Sequence, residues 1–148
     1  MINRSFAVCS QYNRFKITFM TIQSLIDFID RHTNNGAIYP NQTLEEGGRI
    51  EEGIGFIRSF SGGDWLALRN LNLKQKSDFW IECLIHLLEG AYTEEARQMI
   101  IYIALKGTEE NFLDAMECIR GFRRDVSIYT WLKLKNRSSE ILRSRANG

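Results

Sequence analysis

The chain has 148 residues, of which 44% are hydrophobic, 11% aromatic and 25% charged. That is enough to bury roughly two-thirds of the unfolded surface without staples, and it argues against disorder. The formal net charge of +1 is a cancellation: residues 21–118 carry sixteen carboxylates against eight Lys/Arg, whereas residues 119–148 carry eight Lys/Arg against only Asp125 and Glu140.

An acidic body followed by a basic end suggests a protein that meets a charged macromolecule. Cys9, Cys83 and Cys118 are odd in number and show no C-x-x-C pairing. They suggest neither a disulfide framework nor a structural zinc site, and they fit a reducing cytoplasm. Arg4, Arg14 and Lys16 interrupt the apolar character of the first twenty residues, so no secretory signal is read there. No apolar run approaches the roughly 18 residues of a membrane span, and the protein is expected to be soluble.

Residues 1–20 read as an N-terminal arm whose order the sequence leaves open. Phe15, Ile17 and Phe19 alternate with polar or small residues, as in a short strand or a docking arm, and Met20 is an alternative start. Residues 21–148 read as a single helical domain. Ile22, Leu25, Ile26 and Ile29 share one helical face, stopped by Asn34-Asn35-Gly36. Thr43-Leu44-Glu45-Glu46 has the pattern of a capping box, and Ile50, Ile54 and Ile57 continue the apolar face of the helix it opens. Gly47, Gly48, Gly53 and Gly55 each cost about 1 kcal/mol against alanine in a helix interior, so this segment depends on packing. Ser61-Gly62-Gly63-Asp64 is a break, with Asp64 capping a short turn that carries Trp65, Leu66 and Leu68 inward.

Helical signals are strongest from Ser77 onward. Ser77 is the N-cap of a predicted helix ending at Gly90, with Trp80, Leu84, Leu87 and Leu88 on one face. Thr93-Glu94-Glu95 opens a second helix that ends at Gly107, apolar on several sides and therefore central. Thr108-Glu109-Glu110 opens a third, closed by Gly121, with Phe112, Ala115, Met116 and Ile119 buried. Asp125 caps a last helix through Ile128, Trp131 and Leu132, and Lys135-Asn136-Arg137-Ser138 reads as a break. Helices of about 13 residues joined by tight turns make antiparallel hairpins, here residues 77–107 and 108–135. The fold class is all-α, either a HEAT-like α-solenoid or an irregular helical bundle.

Candidate chemistry is sparse. Cys83 and His86 share a helix at i, i+3, but a buried thiol and a boundary histidine explain them better than a nucleophilic or metal site. His32 sits where an imidazole caps a helix C-terminus. The glycine-rich stretch from Glu45 to Gly55 carries four glutamates and no lysine, which opposes phosphate binding. No cofactor, no metal site and no enzymatic activity are expected. Two charged sets remain. Glu110, Asp114 and Glu117, at i, i+4 and i+7, form an acidic stripe opposite Phe112 and Met116; with the helix start at Glu94 and Glu95 they suit a basic partner. A solvated outer face would look the same. Arg123, Arg124, Lys133, Lys135 and Arg137, interleaved with Tyr129 and Trp131, suit phosphates and stacked bases. Their bland reading is packing against the acidic helices.

The segment SDFWIECLIHLLEGAYTEEARQMIIYIALKGTEENFLDAMECIRGF, residues 77–122, resembles α-helical immunity proteins of bacterial toxin systems, including those of contact-dependent growth inhibition. That resemblance implies a cytoplasmic protein that binds a cognate toxin domain, often a nuclease, and blocks its active site or substrate surface without turnover. The basic C-terminal segment departs from a simple acidic plug. The expectation is therefore an immunity or inhibitor protein acting through Glu94, Glu95, Glu110, Asp114 and Glu117. The alternative is a nucleic-acid-binding accessory protein acting through the five basic residues.

Overall fold

The structure, a computed structural model, describes residues 21–33 and 49–148. The N-terminal arm of residues 1–20 and the capping box at Thr43–Glu46 lie outside the described residues. Every element among the described residues is helical. Backbone contacts divide the chain after Leu71 into two compact units.

In the first unit, α1 covers residues 21–33, α2 Ile50–Arg58 and α3 Gly62–Asn70. Ile22, Leu25, Phe28 and Ile29 are buried on α1, and Phe28 meets Phe56 edge-on at 6.0 Å. His32 is buried, and its Nδ1 lies 2.7 Å from the Phe28 carbonyl, satisfying one of the last acceptors of the helix as the sequence suggested. The cap of α3 differs from expectation. Ser61, not Asp64, is the N-cap, and Asp64 is the third residue of a reciprocal capping box in which its Oδ2 accepts from the Ser61 amide at 2.9 Å. The phase of α3 follows from that start, so Leu68 is buried while Leu66 is 61% exposed, contrary to the inward position expected for it.

The second unit holds a short 3-10 turn at Leu73–Gln75, then α4 (Asp78–Ala91), α5 (Glu94–Lys106), α6 (Glu109–Gly121), a 3-10 turn at Arg123–Asp125 and α7 (Ile128–Ala146). Ser77, Thr93 and Thr108 cap α4, α5 and α6 as predicted, each accepting a backbone N–H three residues on. The α4–α5 turn closes on Tyr92 in the left-handed region (φ 55°), two residues after the predicted stop at Gly90. Gly107 is the C-cap of α5, at a position with no room for a side chain. A Cβ there would lie 2.8 Å from Asn111 Cβ, Asn111 Oδ1 and the Ile103 carbonyl.

Helix α5 is covered on several sides, with Ala96, Met99, Ile100, Ile103 and Ala104 all buried, and it packs on α4, α6 and α7. Short turns make α5 antiparallel to α4 and α6, so α4 and α6 run parallel with their N-termini at one end. Asp78 Oδ1 ties those two starts together, accepting from Thr108 Oγ1 at 3.0 Å and from Asn111 Nδ2 at 3.2 Å. The architecture is an irregular helical bundle. Its last helix corrects three expectations. α7 runs unbroken through Lys135–Ser138, because no glycine or proline interrupts it and polar side chains are tolerated on a wet helix face. Ser127, not Asp125, is its N-cap. Its buried residues are Leu134 and Ile141, with Trp131 half-buried, while Ile128 and Leu132 are exposed.

Candidate functional site

The acidic stripe of α6 acquires two further members from α4. Both helices start at the same end of the unit, with Asp78 and Glu110 in their first turns, where carboxylates favour the helix N-terminus, and Glu82, Asp114 and Glu117 further along. Asp78 and Glu82 on α4 and Glu110 and Glu117 on α6 all act on Asp114. Burial, and then these four carboxylates, push the Asp114 carboxyl up from 3.8 to about 6. Among the described residues, no Lys or Arg forms an ion pair with Glu110, Asp114 or Glu117. Glu109, one residue away, is neutralised by Arg145. Asp114 is thus ionised only at a cost, set by its burial and by the neighbouring carboxylates.

Glu94 and Glu95 are not part of this face. They lie in the first turn of α5, at the opposite end of the antiparallel set, about 20 Å along the helix axes from Glu110. Glu94 accepts a hydrogen bond from Gln98 Nε2 at 2.8 Å, and the neighbouring Arg97 pairs with Asp125 at 2.9 Å. Both glutamates sit in the first turn of α5, where negative charge favours the helix N-terminus.

The five basic candidates are dispersed. Arg123 lies 5.2 Å over the Trp131 ring, and Lys133 lies 4.5 Å over Tyr129. Arg124 is exposed in the 3-10 turn. Arg137 is turned inward, donating from Nη2 to the Gly107 carbonyl at 3.1 Å and lying 3.6 Å from Glu140. Lys133 and Lys135 are two residues apart on one helix, so they point roughly 200° from each other. No single surface gathers all five.

Between α6 and α7 lies a half-open groove of 510 Å³, walled by Phe112, Met116, Trp131 and Leu134, with Glu117 and Lys135 on its rims. Burial pushes the thiols of Cys83 and Cys118 up to about 12, and nearby Glu82 and Glu89 respectively add to the effect. Neither offers a thiolate near neutral pH. Among the described residues, no three His, Cys, Asp or Glu side chains converge on a point where a metal ion would sit. Nor is any helix among them long and apolar enough to cross a membrane.

Asp78 and Glu82 are the acidic-face residues that sequence reasoning passed over. Their i, i+4 spacing was visible, but only the packing of α4 beside α6 connects them to Asp114. No family model, curated protein or solved structure matches the chain.

Proposed function

We propose that this is a binding protein of the immunity or inhibitor type, acting in the cytoplasm, which occludes a basic surface of a cognate toxin, such as a nuclease domain. The observation that carries the reading is the five-carboxylate face of α4 and α6, where burial and its neighbours push the Asp114 carboxyl up to about 6 while, among the described residues, no Lys or Arg pairs with Glu110, Asp114 or Glu117. A cationic partner would relieve that repulsion on binding and would be steered toward it over a long range. Steric cover of a substrate surface needs no turnover by the inhibitor itself. The dispersal of the basic residues, with Arg137 already bonded within the fold, favours this reading over nucleic-acid binding.

The test is capture by the tagged protein of the product of its neighbouring gene, divided into samples with and without nuclease and repeated at high salt. A stoichiometric protein partner that survives both treatments is expected. Recovery of nucleic acid alone, lost at high salt, would replace the inhibitor reading with phosphate binding by the C-terminal segment.

A further inference from the structure

Helix α7 carries two apolar stripes and uses only one of them. Trp131, Leu134 and Ile141, with Ser138 between, follow i, i+3, i+7 and i+10 and face inward. On the adjacent face, about 100° round the helix, Ile128, Leu132, Lys135, Ser139 and Leu142 follow i, i+4, i+7, i+11 and i+14, the spacing of a helix–helix seam. Its three large apolar members are open to solvent: Ile128 is 82% exposed, Leu132 53% and Leu142 62%. Single exposed leucines are ordinary, but here three large apolar residues share one face over fifteen residues of one helix, with Lys135 and Ser139 between Leu132 and Leu142.

We propose that this strip docks an acidic amphipathic helix of a partner protein. Charge selects the occupant. α7 carries Lys133, Lys135, Arg137, Arg143 and Arg145 against Glu140 alone, and Arg137 and Arg145 are already engaged with Glu140 and Glu109. Lys135 within the strip and Arg143 beside it remain exposed without a carboxylate partner among the described residues. A second copy of α7 is a poor fit. In either direction, pairing the strip with itself in register sets Lys135 against Lys135, because residue 135 is the midpoint between Ile128 and Leu142. A nucleic acid would use Lys135 and Arg143 but leave Ile128, Leu132 and Leu142 wet. A helix with leucines on its contact face and glutamates flanking them satisfies both parts of the surface. This surface lies on a different helix from the acidic face, so the proposal stands whether or not the inhibitor reading does.

The probe is a synthetic three-heptad peptide with Leu at its seam positions and Glu beside them. Its Lys-for-Glu counterpart and a single-stranded oligonucleotide serve as comparisons, and binding to the full chain is read by fluorescence anisotropy. The acidic peptide is expected to bind the full chain more tightly than its basic counterpart. The exposed-site variant Ile128→Ser/Leu132→Ser/Leu142→Ser should keep its helical circular dichroism yet weaken that binding at least about tenfold. Lys135→Glu should weaken the acidic peptide and strengthen the basic one. The proposal is overturned if the acidic peptide fails to bind, if the triple-serine variant binds it equally well, or if only the oligonucleotide binds and the serines make no difference.

Discussion

Asp114 carries a carboxyl that burial and four neighbouring carboxylates make costly to ionise. Its folded-state pKa lies above the ordinary value, so the ionised carboxyl weakens the native state at neutral pH. That cost disappears as pH falls from about 6 toward 3.8. Asp114→Asn is therefore expected to be more stable than the wild type by about 1 kcal/mol near neutral pH, after allowing for solvent screening of a half-buried group. Urea denaturation should show the gain shrinking through the same pH window on acidification; a gain independent of pH would mean that the acids of α4 and α6 do not repel. Gly107 is constrained for the opposite reason, by space. Gly107→Ala forces a Cβ onto Asn111 and the Ile103 carbonyl, and should cost about 1–3 kcal/mol in the same assay. The residue patterns at Thr93 and Thr108 announced their caps because capping is local. Neither Asp114's raised pKa nor Gly107's tight contact was legible, since each depends on which side chains meet across the α4–α6 and α5–α6 packing.

At the scale of elements, periodicity identified α4, α5 and α6 because each presents a broad apolar face closed by recognisable caps. It misassigned α7 for a physical reason. Two apolar stripes of similar strength share that helix, and sequence alone ranks Ile128, Trp131 and Leu132 above Leu134 and Ile141. Only the tertiary partner decides between them: α5 packs against α7, and Arg137 and Arg145 anchor it to Gly107 and Glu109 from the inner side. Leu134→Ala and Ile141→Ala should each cost about 2–4 kcal/mol, whereas Ile128→Ser and Leu132→Ser should stay within about 0.5 kcal/mol. Comparable losses at all four positions would place the outer stripe in the core. The same reasoning explains the acidic face. The stripe Glu110, Asp114 and Glu117 could be read from α6 alone, but the contribution of Asp78 and Glu82 required the parallel neighbour, and the exclusion of Glu94 and Glu95 required the antiparallel one.

Across the whole molecule, the near-zero net charge conceals an acidic majority and a basic end that the fold uses differently. Two basic residues of the end are consumed internally, Arg137 at Gly107 and Glu140 and Arg145 at Glu109. Among the described residues, Glu110, Asp114 and Glu117 of α6 form no ion pair with a Lys or Arg. The most direct measurement is a calorimetric titration of the captured protein partner into three forms of the chain at two salt concentrations. The forms are the wild type, Glu110→Lys/Asp114→Lys/Glu117→Lys, and Glu94→Lys/Glu95→Lys. The account predicts that the α6 reversal loses at least about a hundredfold in affinity while keeping its fold, that the α5 reversal changes affinity by less than about threefold, and that the wild-type affinity falls as salt rises. Unchanged affinity in the folded α6 reversal would remove this face from the interaction and contradict the central claim.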